Sequence, residues 1–84
     1  MDMAEMTSQR VMRVIAETQR IPLDHVTADS TFEELKIDSL DGLNILFALE
    51  EEFGVDVPDD EGRRFRSVGE VVQGIEQLLA RKAT

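Results

Sequence analysis

The run from Ser39 to Phe53 constrains this chain more than any other stretch, because it reads as one amphipathic helix with marked ends. Leu40, Leu43, Leu46, Phe47, Leu49 and Phe53 recur at helical spacing and predict a broad apolar stripe. Asp38 and Asp41 stand three apart at its start, the spacing of an N-cap and its N3 partner. Gly54 supplies the left-handed position that commonly ends a helix. At 1.5 Å per residue such a helix is about 22 Å long. Ser39 falls in its first turn, where free backbone N–H groups and the positive end of the helix dipole favour an anion. Gly42 inside that turn costs about 1 kcal/mol relative to Ala; simple tolerance and a close approach of backbone or ligand both account for it.

The other elements follow from similar signals. Thr7 or Ser8 is expected to cap a first helix in which Val11, Val14 and Ile15, with Thr18, share a face. It should end near Gln19 or Arg20, because Pro22 disfavours helical geometry at Ile21. A long connection follows, from about residue 21 to 37, with Leu23, Val26, Phe32 and Leu35 as apolar anchors. Structureless connections of that length are uncommon unless functional or pinned, so it is expected to pack over the core. Asp29 or Ser30 is the expected cap for a single turn through Phe32 to Leu35. Val55-Asp56-Val57 alternates, but Pro58 leaves it too short for a strand. Asp59 is expected to cap a short third helix to about Phe65, weakened by Gly62. Ser67-Val68-Gly69-Glu70 matches the S-x-x-E capping box ahead of a fourth helix bearing Val68, Val71, Val72, Ile75, Leu78 and Leu79. It frays into Arg81-Lys82, bases at the favourable C-terminal end. The expected fold class is all-α, a small four-helix bundle of three main helices and one short one. A long loop joins the first two helices, and residues 1–84 form a single domain.

Composition then removes classes of function. A chain of 84 residues buries only about 60–65% of the surface its unfolded form exposes, which makes a deep enclosed active site hard to build. With no cysteine, any sulfur chemistry needs an imported thiol. His25 is the only histidine, and no spacing joins it to Ser39 and an acid as a nucleophilic triad, so no catalytic set is expected. The acidic run from Asp56 to Gly62 fails as a calcium loop: Pro58 occupies position 3, Glu61 the glycine position and Ser67 position 12. No zinc spacing and no glycine-rich phosphate loop occurs, so no metal is expected. The net charge of −9 argues against nucleic acid and anionic membranes as partners. No apolar run approaches the roughly 18 residues of a membrane span, and the N-terminus lacks a signal peptide's basic and apolar regions. The protein is therefore expected to be soluble and cytoplasmic, without membrane insertion, and to act as a monomer. Between Asp29 and Glu61 stand twelve acids and a single base, Lys36. This acidic middle is either a solvated face or a docking surface for basic partners.

Phe32-Glu33-Glu34-Leu35-Lys36-Ile37-Asp38-Ser39-Leu40, followed by the stretch from Ala48 to Pro58, resembles an acyl carrier protein over nearly the whole chain. Pro22 and Asp29 to Phe32 resemble that family's first loop, Asp38-Ser39-Leu40 its modification motif, and Ser67 to Glu70 the start of its last helix. The resemblance implies that Ser39, flanked by Asp38 and Leu40, is the attachment point for 4′-phosphopantetheine. That group is transferred from coenzyme A by a separate phosphopantetheinyl transferase, a holo-acyl-carrier-protein synthase. The cofactor supplies the missing thiol, and the protein carries acyl intermediates as thioesters between enzymes of fatty acid or polyketide-type biosynthesis. Ser39 is then an acceptor acted on by other enzymes, and the protein is not itself an enzyme. The resemblance also gives Asp38, Asp41, Glu50, Glu51, Glu52 and Asp56 a role in docking basic patches of acyl-loading and ketosynthase-type partners. Leu43, Leu46, Phe47, Leu49 and Phe65 resemble the lining of a pocket that shelters the acyl chain. The bulk of Phe47 and Phe65 implies a shallower pocket and short or unusual acyl groups.

The chain departs from the family's usual pattern in three ways. Lys36 stands where glycine is usual, two before the motif's Asp; Asn44 replaces a usual acid; and Arg63, Arg64 and Arg66 make the third helix region more basic. These differences suggest a specialised carrier. An aminoacyl or peptidyl-type carrier is the nearest alternative, although peptidyl carriers generally show Gly-Gly before the serine motif. The other is an unmodified acidic helical module that binds partners, with Ser39 merely a helix-start residue.

Overall fold

Three long helices lean on one another through aliphatic side chains, and the order of elements follows the apolar periodicity. The structure is a computed structural model that describes the backbone of residues 3–83 and the side chains of residues 6–82. Its helices are α1 (Met3–Gln19), α2 (Ser39–Phe53), α3 (Asp59–Arg64) and α4 (Val68–Ala83), with a 3₁₀ turn at Leu23–His25 in the long connection. No strand occurs among the described residues, and Val55-Asp56-Val57 is extended chain. The architecture is thus the all-α bundle of three main helices and one short one.

Helix α1 packs against both α2 and α4. Val11, Val14, Ile15 and Ala16 meet Ile45, Leu49 and Phe53 of α2 and Val68, Val71, Val72 and Ile75 of α4 in one buried cluster. Val26, Val55 and Val57 close it from the connections. At about 25 cal/mol per Å² of apolar surface removed from water, these side chains supply most of the folding drive. The radius of gyration of 11.8 Å matches the roughly 12 Å expected of a folded chain this long, so the connection from Arg20 to Asp38 lies on the body.

Several boundaries differ from expectation. Helix α1 starts at Met3, and Thr7 is a buried residue inside it instead of a cap. Thr7, Val11 and Val14 share the inward face at i, i+4 and i+7, and this packing outweighs the threonine's capping tendency. Helix α3 begins at Asp59 itself, after Pro58, whose extended backbone (φ −58°, ψ 141°) turns the chain and which offers no side-chain cap. The single turn after residue 30 is capped by Thr31, not by Asp29 or Ser30. The Glu34 N–H donates to Thr31 Oγ1 (3.1 Å), and Glu34 Oε1 accepts from the Thr31 N–H (3.0 Å), a reciprocal capping box. Ser30 instead accepts from the Thr27 N–H.

Backbone hydrogen bonds pin the long connection to the start of α4. The Phe32 N–H donates to the Arg66 carbonyl (2.9 Å) and the Val68 N–H to the Ser30 carbonyl (3.0 Å), while the Gly69 N–H reaches the Ala28 carbonyl (3.0 Å). At the start of α4 the Ser67 hydroxyl accepts from the Glu70 N–H (3.3 Å). Glu70 in turn accepts from the Arg66 N–H (2.6 Å), one residue earlier than in an ideal capping box.

Three segments end in the same left-handed stop, at Arg20 (φ 57°), Lys36 (φ 58°) and Gly54 (φ 64°). At Arg20 and Lys36 the bonding is that of a Schellman motif: Ile21 N–H to the Ala16 carbonyl and Arg20 N–H to Glu17, then Ile37 N–H to Phe32 and Lys36 N–H to Glu33. Only Gly54 reaches this conformation without a Cβ penalty. Lys36 therefore keeps the turn geometry that glycine would give, at a cost in strain. Lys36→Gly should stabilise the protein by about 1 kcal/mol, raising Tm by about 4–8 °C for a chain this size. An unchanged or lower Tm in a thermal melt would show that the lysine side chain compensates its own backbone.

The Thr31 backbone N–H and hydroxyl hold the Glu34 carboxyl below the usual glutamate range. Because the folded value is depressed, this contact stabilises the fold above the ordinary glutamate pKa and is lost as pH falls through the lowered one. A carboxyl NMR titration should show Glu34 titrating more acidic than an ordinary glutamate, with Thr31→Ala returning it toward the ordinary value. The return is partial because alanine keeps the backbone N–H, and a midpoint that ignores the substitution leaves the backbone N–H as the whole cause.

Candidate functional site

The entry to α2 is built as its sequence implies. Asp38 is the N-cap (φ −85°, ψ −176°): its Oδ1 accepts from the Asp41 N–H (2.8 Å) and its carbonyl from the Gly42 N–H (2.8 Å). These bonds leave the N–H groups of Ser39 and Leu40 unpartnered among the described residues. Ser39 is exposed, and Leu40 is 67% exposed beside it. A hydroxyl free in solvent, above two open N–H groups at the positive end of a fifteen-residue helix, suits a phosphodiester. A Cβ on Gly42 would meet only Ile37 Cγ2 at 4.0 Å, so that glycine reflects tolerance.

Ser39 stands on the rim of a cleft of about 1010 Å³ between α2, the 31–38 segment and α3. Its apolar lining comes from Phe32, Ile37, Leu43, Ile45, Leu46, Phe65 and Val71. Glu33, Asp38, Asp59, Arg63 and Arg66 supply the charged groups. Of the five residues expected to line an acyl pocket, Leu43, Leu46 and Phe65 line this cleft, and Phe47 and Leu49 do not. A helix turns 100° per residue, so Ile45, Leu49 and Phe53 share the inward face, while Leu40, Leu43 and Phe47 lie along the outer one. Leu49 is wholly buried in the core and Phe47 is 58% exposed. Ile45, which the broad stripe omitted, is the residue that α2 drives deepest toward its N-terminal half.

Two glycines shape the cleft. A Cβ at Gly62 would sit 2.5 Å from Leu46 Cδ1, and one at Gly74 2.5 Å from Phe65 Cζ. Leu46 and Phe65 therefore occupy space that only glycine leaves open on α3 and α4. Gly62, whose helix-weakening effect stood out in the sequence, has this packing role.

The expected docking acids divide into two groups. Glu51 and Asp56 are exposed, and Asp38 and Asp41 stand at the helix entry. Glu50 Oε2 accepts from the Val57 N–H (2.8 Å), folding the 54–57 segment back onto α2. Glu52 is clamped from α1: its Oε2 accepts from Arg10 Nε (3.0 Å) and Arg13 Nη2 (2.9 Å), and its carbonyl from Arg10 Nη2 (2.9 Å). Arg10 also lies 4.4 Å over the Phe53 ring. Sequence spacing holds no sign of the ties to Glu52 and Phe53, because Arg10 and Arg13 lie about forty residues away in the chain.

His25 is exposed at the end of the 3₁₀ turn and does not line the cleft. No group of His, Cys, Asp or Glu among the described residues could hold a metal ion, and no described helix is long and apolar enough to cross a membrane.

Residues 9–75 match the family model described as "Phosphopantetheine attachment site". The acyl carrier protein of Rickettsia canadensis (strain McKiel) is 37% identical over 78 residues, covering 92% of this chain and 91% of that one. That of Rickettsia bellii (strain RML369-C) is 41% identical over 70 residues, covering 82% and 81%. The crystal structure of an acyl carrier protein from Thermotoga maritima superposes with a TM-score of 0.78 at 25% identity, covering 87% of this chain and 86% of that one. A helix entry fitted to a phosphodiester, the family model and these relatives agree: the chain belongs to the acyl carrier proteins, which carry a covalently attached 4′-phosphopantetheine and are not enzymes.

Proposed function

We propose that Ser39 is the attachment residue and that the protein shuttles acyl intermediates between cytoplasmic enzymes of fatty acid or polyketide-type biosynthesis, acting as a monomer. The observation that supports this most is the exposed Ser39 hydroxyl at a capped helix entry, on the rim of a largely apolar cleft. In the transfer from coenzyme A, Ser39 Oγ bonds to phosphorus, the P–O–P link breaks and adenosine 3′,5′-bisphosphate leaves. A base of the transferase takes the hydroxyl proton. Nothing in this chain needs to activate Ser39, consistent with the exposed His25 lying outside the cleft. Asp38 fixes the first turn, and the open N–H groups of Ser39 and Leu40 receive the phosphate charge. When attached, the arm supplies the thiol that the cysteine-free chain lacks. Leu43, Leu46 and Phe65 present apolar surface on which an acyl chain can lie, with Phe65 setting the depth on the α4 side.

Docking falls chiefly to Asp38, Asp41, Glu51 and Asp56, flanked by the exposed Leu40, Leu43 and Phe47 of the outer α2 face. Glu50 and Glu52 add to the field, but each is already held by an internal partner. Exposed acids raise the encounter rate with a basic patch and let the complex part quickly.

With coenzyme A and a broad-specificity phosphopantetheinyl transferase, intact mass should rise by one arm, and Ser39→Ala should abolish the gain while the helical content is unchanged. Modification of the alanine variant, or none of the wild type, counts against the assignment. Glu51→Lys should slow modification by about three- to tenfold at low ionic strength, the difference shrinking with added salt, with Tm unchanged. Glu50→Lys should lower Tm as well, since it removes the acceptor of the Val57 N–H. Identical rates for Glu51→Lys and wild type at low salt would remove Glu51 from the docking surface.

A further inference from the structure

We propose that the cleft beside Ser39 selects acyl groups that end in a carboxylate, which Arg63 and Arg66 receive. This rests on the carrier reading above and names the class of cargo. In a chain of net charge −9, both arginines line the same cleft as Ser39, and neither forms an ion pair among the described residues. Acids were available to neutralise them. Asp59 lies four residues before Arg63 on α3, the favourable order for a helical pair, and Glu33, Asp38 and Asp59 line the same cleft. None closes on either guanidinium. Instead Arg66 Nη1 points to the Arg63 carbonyl (3.5 Å), setting its charge against the stretch that carries the second arginine. Both arginines are exposed and without an ion pair, so their guanidinium groups remain open to an anion, and a guanidinium fork matches a carboxylate.

The position is also prepared. The Arg66 N–H is held by Glu70 (2.6 Å) and its carbonyl by the Phe32 N–H (2.9 Å), so its backbone is fixed from both sides before any ligand arrives. The same cleft is lined by Ile37, Leu43, Leu46 and Phe65, apolar surface that suits methylene groups. A chain tethered through Ser39 would cross apolar surface and meet cations. A neutral acyl tail gains only the first of these.

The test uses the holo-protein loaded with two acyl groups of equal length, adipoyl and hexanoyl, each checked by intact mass, and follows arginine Nε resonances and Tm. Adipoyl should shift the Arg63 and Arg66 Nε signals, leave Arg64 unmoved, and melt about 4 °C or more above hexanoyl at low salt. The gap should vanish in the double variant Arg63→Gln/Arg66→Gln and persist in Arg64→Gln. Equal melting of the two loaded forms, or a gap that survives the double variant, overturns the proposal. It is likewise overturned if both signals shift fully when the bare arm is attached, which assigns the arginines to the phosphodiester. Failure to gain the arm at Ser39 refutes the carrier reading and this proposal together; the other outcomes refute this proposal alone.

Discussion

Three consecutive glutamates, Glu50, Glu51 and Glu52, crowd the C-terminal end of α2, where the helix dipole is already negative and the helix has no base of its own. The rest of the molecule is arranged to make that end tolerable. Arg10 and Arg13 cross from α1 to Glu52, and Arg10 also takes its carbonyl. Lys82 reaches from α4 to the Gly54 carbonyl at 2.7 Å, and Glu50 turns to the Val57 N–H. Each half-exposed tie is worth at most about 1 kcal/mol, so the aliphatic core still carries the stability. What the ties fix is register, since both long neighbours of α2 are fastened to the same end of it. The opposite end, with Ser39, is left to face solvent.

That polarity explains how a small domain presents a serine without enclosing it. The segment before Ser39 could have been loose, yet it is clamped by paired backbone bonds between residues 30–32 and 66–68 and by the Thr31–Glu34 box. The left-handed stop at Lys36 then aims the chain into α2. Ser39 thus follows a segment tied down by hydrogen bonds while it stays exposed itself, as the proposed attachment role requires.

Much of this was legible in residue spacing. The bounds of α2, its Asp38 cap and Gly54 stop, the Ser67–Glu70 signal and the pinned connection all depend on local chemistry, and local chemistry is what a sequence displays. The misreadings share a different origin. Which half of an over-broad apolar stripe turns inward depends on the neighbours, so spacing alone does not single out the buried Ile45 or show that Phe47 lies outside the cleft beside Ser39. The tasks of Glu50 and Glu52 are likewise set by the Val57 N–H and by α1, and the space filled by Leu46 and Phe65 by glycines on other helices. Thr7 was misread because a threonine that could cap can also pack.

Helix α3 contributes no buried side chain, although it forms one wall of the cleft. Its residues are therefore nearly exempt from the demands of folding, apart from Gly62, which Leu46 needs. A lineage can rewrite the charge and shape of that wall while the three long helices stay as they are. Divergence in what is carried need not wait for divergence in the carrier, and the arginines on and just beyond this helix are where such divergence would first be visible.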